Sequence, residues 1–145
     1  MAVTTRSAST VWTGDLASGS GATTLETSGL GTFPVTWKAR TEEAESKTSP
    51  EELIAAAHAS CFSMALSNIL KQAGHVAEKL ETTAEVDFDT TDGAKISGIR
   101  LTLEASIPGI DAAEFQKHAN AAKEGCPVSV ALAAVPSITL DAHLN

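Results

Sequence analysis

The chain has 145 residues, 43% of them apolar and 19% charged, and carries a formal net charge of −8. That length fits a single domain, residues 1–145, with enough interior to fold without a disulfide or a structural metal. The acidic balance argues against nucleic acid or an anionic membrane surface as partner. Two cysteines, and no apolar leader in Met1-Ala-Val-Thr-Thr-Arg6, point to a reducing compartment, the cytoplasm.

Ser7 to Thr13 is rich in Val, Trp and Thr and predicts a strand. Gly14-Asp15 and Ser18-Gly-Ser-Gly21 carry turn chemistry, and Thr23 to Thr27 predicts a second strand. Gly29, Gly31 and Pro34 mark another turn, and Phe33 to Lys38 a third strand, so the opening third reads as an antiparallel meander. Ala39 to Lys47 is polar and predicts a loop, with Arg40 at its start.

The longest apolar run follows. Ser49 is a candidate N-cap, Pro50 a first helical residue, and Glu52 completes a Ser-x-x-Glu capping box. Glu51 and Glu52 place negative charge where the helix dipole favours it. The helix runs past Leu70 and stops at Gly74, about six turns or roughly 35 Å. At about 100° per residue, Ile54, Ala57, His58, Met64, Ala65 and Asn68 share the face of Cys61, while Leu66 and Leu70 lie opposite. Apolar residues occur all round, which predicts a core helix. His58, Asn68, the serines and the glutamates argue against a membrane span, and the many alanines suit packing against a second copy.

Glu81 to Asp89 alternates as a half-buried strand, Thr90-Thr-Asp-Gly93 predicts a hairpin, and Lys95 to Ile107 alternates again. Asp111-Ala-Ala-Glu114 predicts a second capped helix, of about twelve residues, ended by Gly125. Cys126-Pro127 opens a short third helix to about Ala134, and Ser137 to His143 predicts a final strand. Strands interrupted by helices make the fold α+β.

Cys61 and Cys126 stand 65 residues apart, a spacing that fits neither a CxxC redox motif nor a zinc site. Cys61, mid-helix, is either a packed core thiol or a nucleophile that needs a cation beside it. Cys126 precedes a helix start, where backbone N–H groups favour a thiolate; packing is the alternative. Arg40 is one of three arginines, and from a strand end it can reach inward or face solvent. Glu51 serves the helix dipole or a site. His58, one turn from Cys61, either pairs with a cysteine or packs in the core. Asp87, Asp89 and Asp92 lack the loop pattern of a calcium site, and His75, His118 and His143 show no partner pattern.

Three blocks resemble the OsmC/Ohr family: Pro50-Glu-Glu-Leu-Ile-Ala-Ala-Ala-His-Ala-Ser-Cys-Phe-Ser-Met-Ala-Leu66, Ile107-Pro-Gly-Ile-Asp111 and Gly125-Cys-Pro-Val-Ser129, with Trp12-Thr-Gly-Asp15 fitting as well. The Ala-Ala-His and Cys-Phe-Ser-Met-Ala forms resemble its OsmC branch. The resemblance implies antiparallel sheets wrapped around a long central helix in an intertwined homodimer. It also implies a thiol peroxidase acting on organic hydroperoxides, re-reduced by a dithiol of the lipoyl type, with no cofactor or metal. Carried over, Cys61 is the peroxidatic cysteine, Cys126 the resolving one, Arg40 the arginine ahead of the helix, and Glu51 the glutamate that orients it. Arg40 is followed by Thr41, where the family pattern has an aromatic residue.

Glu51 and Cys61 are ten residues apart, roughly 15 Å along a straight helix. One arginine can hardly reach both, which predicts that Arg40 and Glu51 serve Cys61 of the other protomer, across antiparallel helices. Competing with the enzyme are a redox-sensing or hydrophobic-ligand-binding dimer without turnover, and a structural dimer with inert cysteines.

Overall fold

The computed structural model describes residues 2–145, and these form two compact units, residues 2–50 and Glu51–Asn145. In the first, strands β1 (Ala8–Thr13), β2 (Ser20–Leu25) and β3 (Thr32–Val35) form an antiparallel sheet in the order β1-β2-β3. This is the expected meander, with two departures.

The second strand begins at Ser20, three residues earlier than the turn chemistry of Ser18 to Gly21 suggests. Gly21 pairs with Trp12 and Val35, and a Cβ there would lie 2.7 Å from Trp12 Cε3 and 3.0 Å from Val35 Cγ2. The glycine therefore makes room for the indole of the neighbouring strand and marks no turn. The tight bend is made upstream, where Gly14 has φ +92° and Asp15 Oδ1 accepts from the N–H of Ser18 at 2.7 Å and its hydroxyl at 2.8 Å.

The other departure concerns Arg40. The third strand ends at Val35, and a short helix α1 (Trp37–Thr41) takes the place of the predicted strand end and loop. Thr36 is extended and caps it, its hydroxyl accepting from the Ala39 N–H at 3.1 Å. Threonine in a run of β-formers reads as strand; its second use, as a cap, ends the strand here. This sheet has little interior of its own: β1 is exposed throughout, with Val11 at 71%.

The second unit opens on helix α2 (Pro50–Gln72). It stops as expected before Gly74, whose φ of +87° lets its N–H reach the Lys71 carbonyl at 3.1 Å while the His75 N–H reaches that of Leu70 at 2.8 Å. Strands β4 (Lys79–Asp89) and β5 (Lys95–Ser106) form the predicted hairpin. Asp87 faces Gly98 and Phe88 faces Ile96, so Ser97 bulges from β5 without ending it. Helix α3 (Ala112–Gly125) is capped by Asp111, which accepts from the Glu114 N–H at 2.8 Å. Helix α4 (Pro127–Ala131) and strand β6 (Ile138–Leu144) follow.

The sheet order is β4-β5-β6, and β6 runs parallel to β5, a pairing that alternation alone does not reveal. It follows from the two helices between the strands, which carry the chain back to its starting edge. The core joins Phe62, Leu66 and Leu70 of α2 to Ile99, Leu101, Leu103 and Ala105 of β5, and to Phe115, Ala119 and Ala122 of α3.

Within the protomer α2 buries one stripe, Glu51, His58, Phe62, Leu66 and Leu70. The expected grouping around Cys61 is therefore split: His58 is inside, Ala57, Met64 and Asn68 are exposed, and Cys61 lies half-buried at the stripe's edge. Phe62, Leu66 and Leu70 carry the helix's greatest apolar bulk, and burying that side removes the most surface from water. The helix is long and apolar enough to cross a membrane by length and composition. It is tied instead to its own unit by the core stripe and by a 2.7 Å hydrogen bond between Ser63 Oγ and Thr82 Oγ1 on β4.

Candidate active site

Cys61 packs against the core cluster that holds Cys126. Both cysteines are free, and each shifts the titration of the other. The fold brings them together from opposite ends of the unit. Cys61 stands midway along α2, beside Phe62. Cys126 ends α3 and caps α4, locked in by the Pro127 that starts the new helix, and it is fully buried.

The surroundings of the two sulfurs differ. Cys126 Sγ accepts from the Ser129 N–H at 3.4 Å, taking the place of a capping oxygen, and lies 3.4 Å from the Ser129 hydroxyl. Burial pushes the Cys126 thiol up, but the Ser129 hydroxyl and N–H, the Cys61 thiol and the Val128 N–H together outweigh it, and the thiol titrates below an ordinary cysteine. Cys61 moves the other way. Burial raises it, the Val128 N–H opposes this, and the neighbouring Cys126 raises it further. Within this unit the more acidic sulfur is thus the deeper one, which sequence position alone does not suggest.

His58 was a candidate partner for Cys61; its ring points elsewhere. Nε2 lies 2.7 Å from Ser129 Oγ, so histidine, serine and Cys126 form a continuous buried row. Burial lowers the His58 pKa and keeps the ring neutral. In the sequence Ser129 is part of the Gly125-Cys-Pro-Val-Ser129 block. Its signal was present as cap spacing: Cys126-Pro-Val-Ser129 places a side-chain acceptor three residues ahead of a helix N–H.

Glu51 is buried, 6% exposed, in the first turn of α2. An acid present only to complement a helix dipole stands in solvent, so burial here speaks for a specific role. Arg40 is half-buried in α1 of the first unit, with its guanidinium carbon 6.0 Å from the Trp37 ring centroid, within cation–π range.

Other candidates resolve into structure. Arg100 grips Asp87 through two hydrogen bonds of 2.7 and 2.9 Å and Glu85 through one of 2.9 Å across the β4–β5 hairpin. His75 and His118, which show no partner in sequence, share Glu114 Oε1 at 3.0 and 3.3 Å. Among the described residues no cluster of three metal-ligating side chains occurs.

Known proteins resemble the chain along this whole framework. Peroxiredoxin OsmC of Escherichia coli is 46% identical over 135 residues, 92% of each chain. An organic hydroperoxide resistance protein of Xanthomonas axonopodis pv. citri is 35% identical over 97 residues, 64% of this chain and 65% of that one. The crystal structure of the organic hydroperoxide resistance protein OhrB of Bacillus subtilis superposes with a TM-score of 0.65 at 27% identity, covering 96% of this chain and 98% of that one. The family model described as OsmC-like protein matches residues 42–141, a span that holds Glu51, Cys61 and Cys126. By that match, and by its likeness to a relative along nearly the full length of both, the chain belongs to the OsmC-like protein family.

Proposed function

We propose that the protein is a cysteine-based peroxidase that reduces organic hydroperoxides to alcohols. The observation that carries this reading is the packing of two free cysteines in one core cluster, Cys61 half-buried and Cys126 fully buried. The printed names of the relatives, a peroxiredoxin and hydroperoxide resistance proteins, support the substrate class.

In this reading Cys61, the sulfur with access to solvent, is the nucleophile. Its thiolate attacks the distal oxygen of the hydroperoxide; the O–O bond breaks, the alkoxide leaves and takes up a proton as the alcohol, and Cys61 becomes a sulfenic acid. Cys126 then attacks that sulfur, the S–O bond breaks, and water leaves as the disulfide forms. A dithiol of the lipoyl type restores both thiols and departs oxidised. Early capture by Cys126 protects Cys61 from irreversible over-oxidation.

The thiolate is the reactive form, and burial works against it at Cys61. The reading therefore requires a cation. We assign that role to Arg40, oriented by Glu51, acting on Cys61 of the partner in a homodimer. The exposed apolar groups Val11 on β1 and Met64 on α2, 71% and 73% accessible in the protomer, are surfaces such a dimer would cover.

The test is sustained consumption of cumene hydroperoxide by the purified chain with a dithiol present. Many turnovers are expected for the wild type and none for Cys61→Ser. A single stoichiometric oxidation would overturn the enzyme in favour of a sensor.

A further inference from the structure

His58 is wholly buried, and its Nδ1 has no hydrogen-bond partner among the described residues. Its other nitrogen, Nε2, is 2.7 Å from Ser129 Oγ. A neutral imidazole carries one proton, and an unpaired buried N–H is costlier than an unpaired lone pair. The proton therefore belongs on Nε2. That choice sets the direction of everything beyond it. Nε2–H donates to Ser129 Oγ, and the serine hydroxyl, its lone pair engaged, turns its own proton to Cys126 Sγ at 3.4 Å. The Ser129 backbone N–H donates to the same sulfur. Cys126 Sγ thus receives two donors from a single residue, and no proton remains for it to give in that direction.

We propose that His58 and Ser129 are positioning residues whose one-way hydrogen-bond chain holds Cys126 as the thiolate, making it the nucleophile that closes the disulfide and the leaving group when an external thiol reopens it at Cys61. This rests on the reading of the two cysteines as a redox pair. On closure, the Cys126 lone pair forms the S–S bond to the Cys61 sulfenic sulfur, the S–O bond breaks, and the hydroxide leaves as water with a proton taken from solvent. On opening, the thiolate of an external dithiol attacks Cys61 Sγ, the half-buried sulfur; the S–S bond breaks and its electron pair goes to Cys126, where both Ser129 donors wait. The second sulfur of the dithiol then displaces Cys61, and the dithiol leaves as a disulfide. The same donors serve both directions, because each passes through a negative Cys126. The lowered pKa of this thiol agrees with the geometry, and a more acidic leaving thiol departs faster.

Two measurements on the full chain test this. The first follows the ultraviolet absorbance of the Cys126 thiolate against pH in a Cys61→Ser background. The midpoint is expected below that of an ordinary thiol, to rise by about one pH unit in Ser129→Ala, and to be restored in Ser129→Thr, which keeps the hydroxyl. His58→Leu should raise it as well, and His58→Gln, which can donate an amide N–H, should raise it less. The second uses wild-type protein oxidised with diamide, treated with excess glutathione, quenched in acid and mapped by mass spectrometry, with the glutathione label expected on Cys61. Label on Cys126, or a midpoint unmoved by Ser129→Ala, would overturn the proposal. Because diamide forms the disulfide without peroxide, both results can hold even where no hydroperoxide is consumed; the peroxidase reading then falls and the chain of donors stands. Hydroperoxide turnover with an unmoved midpoint removes the donor chain alone.

Discussion

His58 Nε2 and Ser129 Oγ lie 2.7 Å apart although 71 residues separate them, and through this contact a helix in the first half of the chain sets the environment of a cysteine near its end. The burial of His58 also makes the protein's stability depend on pH. Burial lowers the folded-state pKa of His58 below the ordinary value of 6.5. As pH falls below 6.5 the unfolded chain takes up a proton that the folded chain resists. The contribution is complete above that value and is lost on acidification toward the folded pKa, with a slope of at most about 1.4 kcal/mol per pH unit. Urea unfolding from pH 7.5 to 5 should show it, and His58→Gln should flatten it. Equal slopes in the two proteins would mean that His58 is protonated without cost.

Sharing of sites across the proposed homodimer would have a distinct signature. Arg40→Ala and Cys61→Ser chains should each be inactive alone. If Arg40 acts on the partner's Cys61, a mixed dimer regains one intact site and about half of the wild-type activity per dimer. Co-expression with two affinity tags isolates that species. An inactive mixed dimer places arginine and cysteine of one site in the same chain.

The two faces of α2 should respond differently to mutation. Leu66 is fully buried against the sheet, and Leu66→Ala should cost about 2–5 kcal/mol in denaturant unfolding. Met64 is 73% accessible in the protomer. Met64→Glu should leave the secondary structure intact and shift the protein to monomer in analytical ultracentrifugation. An unchanged sedimentation coefficient would exclude this face from the interface.

Gly21 should tolerate no side chain. A Cβ there would sit 2.7 Å from the Trp12 ring, so Gly21→Val should force the indole out and cost about 1–3 kcal/mol. A shift in Trp fluorescence should accompany the loss. Unchanged stability with unchanged fluorescence would show that the strands part without cost.

Much was legible in the chain because the signals are local. Asp111-Ala-Ala-Glu114 and Gly74 mark helix ends by hydrogen bonds that span only a few residues, Pro50 opens α2, and the alternation in β4 and β5 reflects a single sheet face. Thr36 and Gly21 misled for the same reason: threonine suits a strand or a cap, glycine a turn or a close approach, and only the neighbour across the sheet or the next helical turn chooses between them. Cys61 and Cys126 stood out as residue types, yet which sulfur is the more acidic depends on Ser129 and on burial. The local sequence determined where helices and strands begin and end, since those are settled between neighbours. The tertiary structure alone decided that β6 runs parallel to β5, that α2 turns Phe62 and Leu66 inward, and that His58 meets Ser129, because strand pairing and desolvation are properties of atoms brought together from distant parts of the chain.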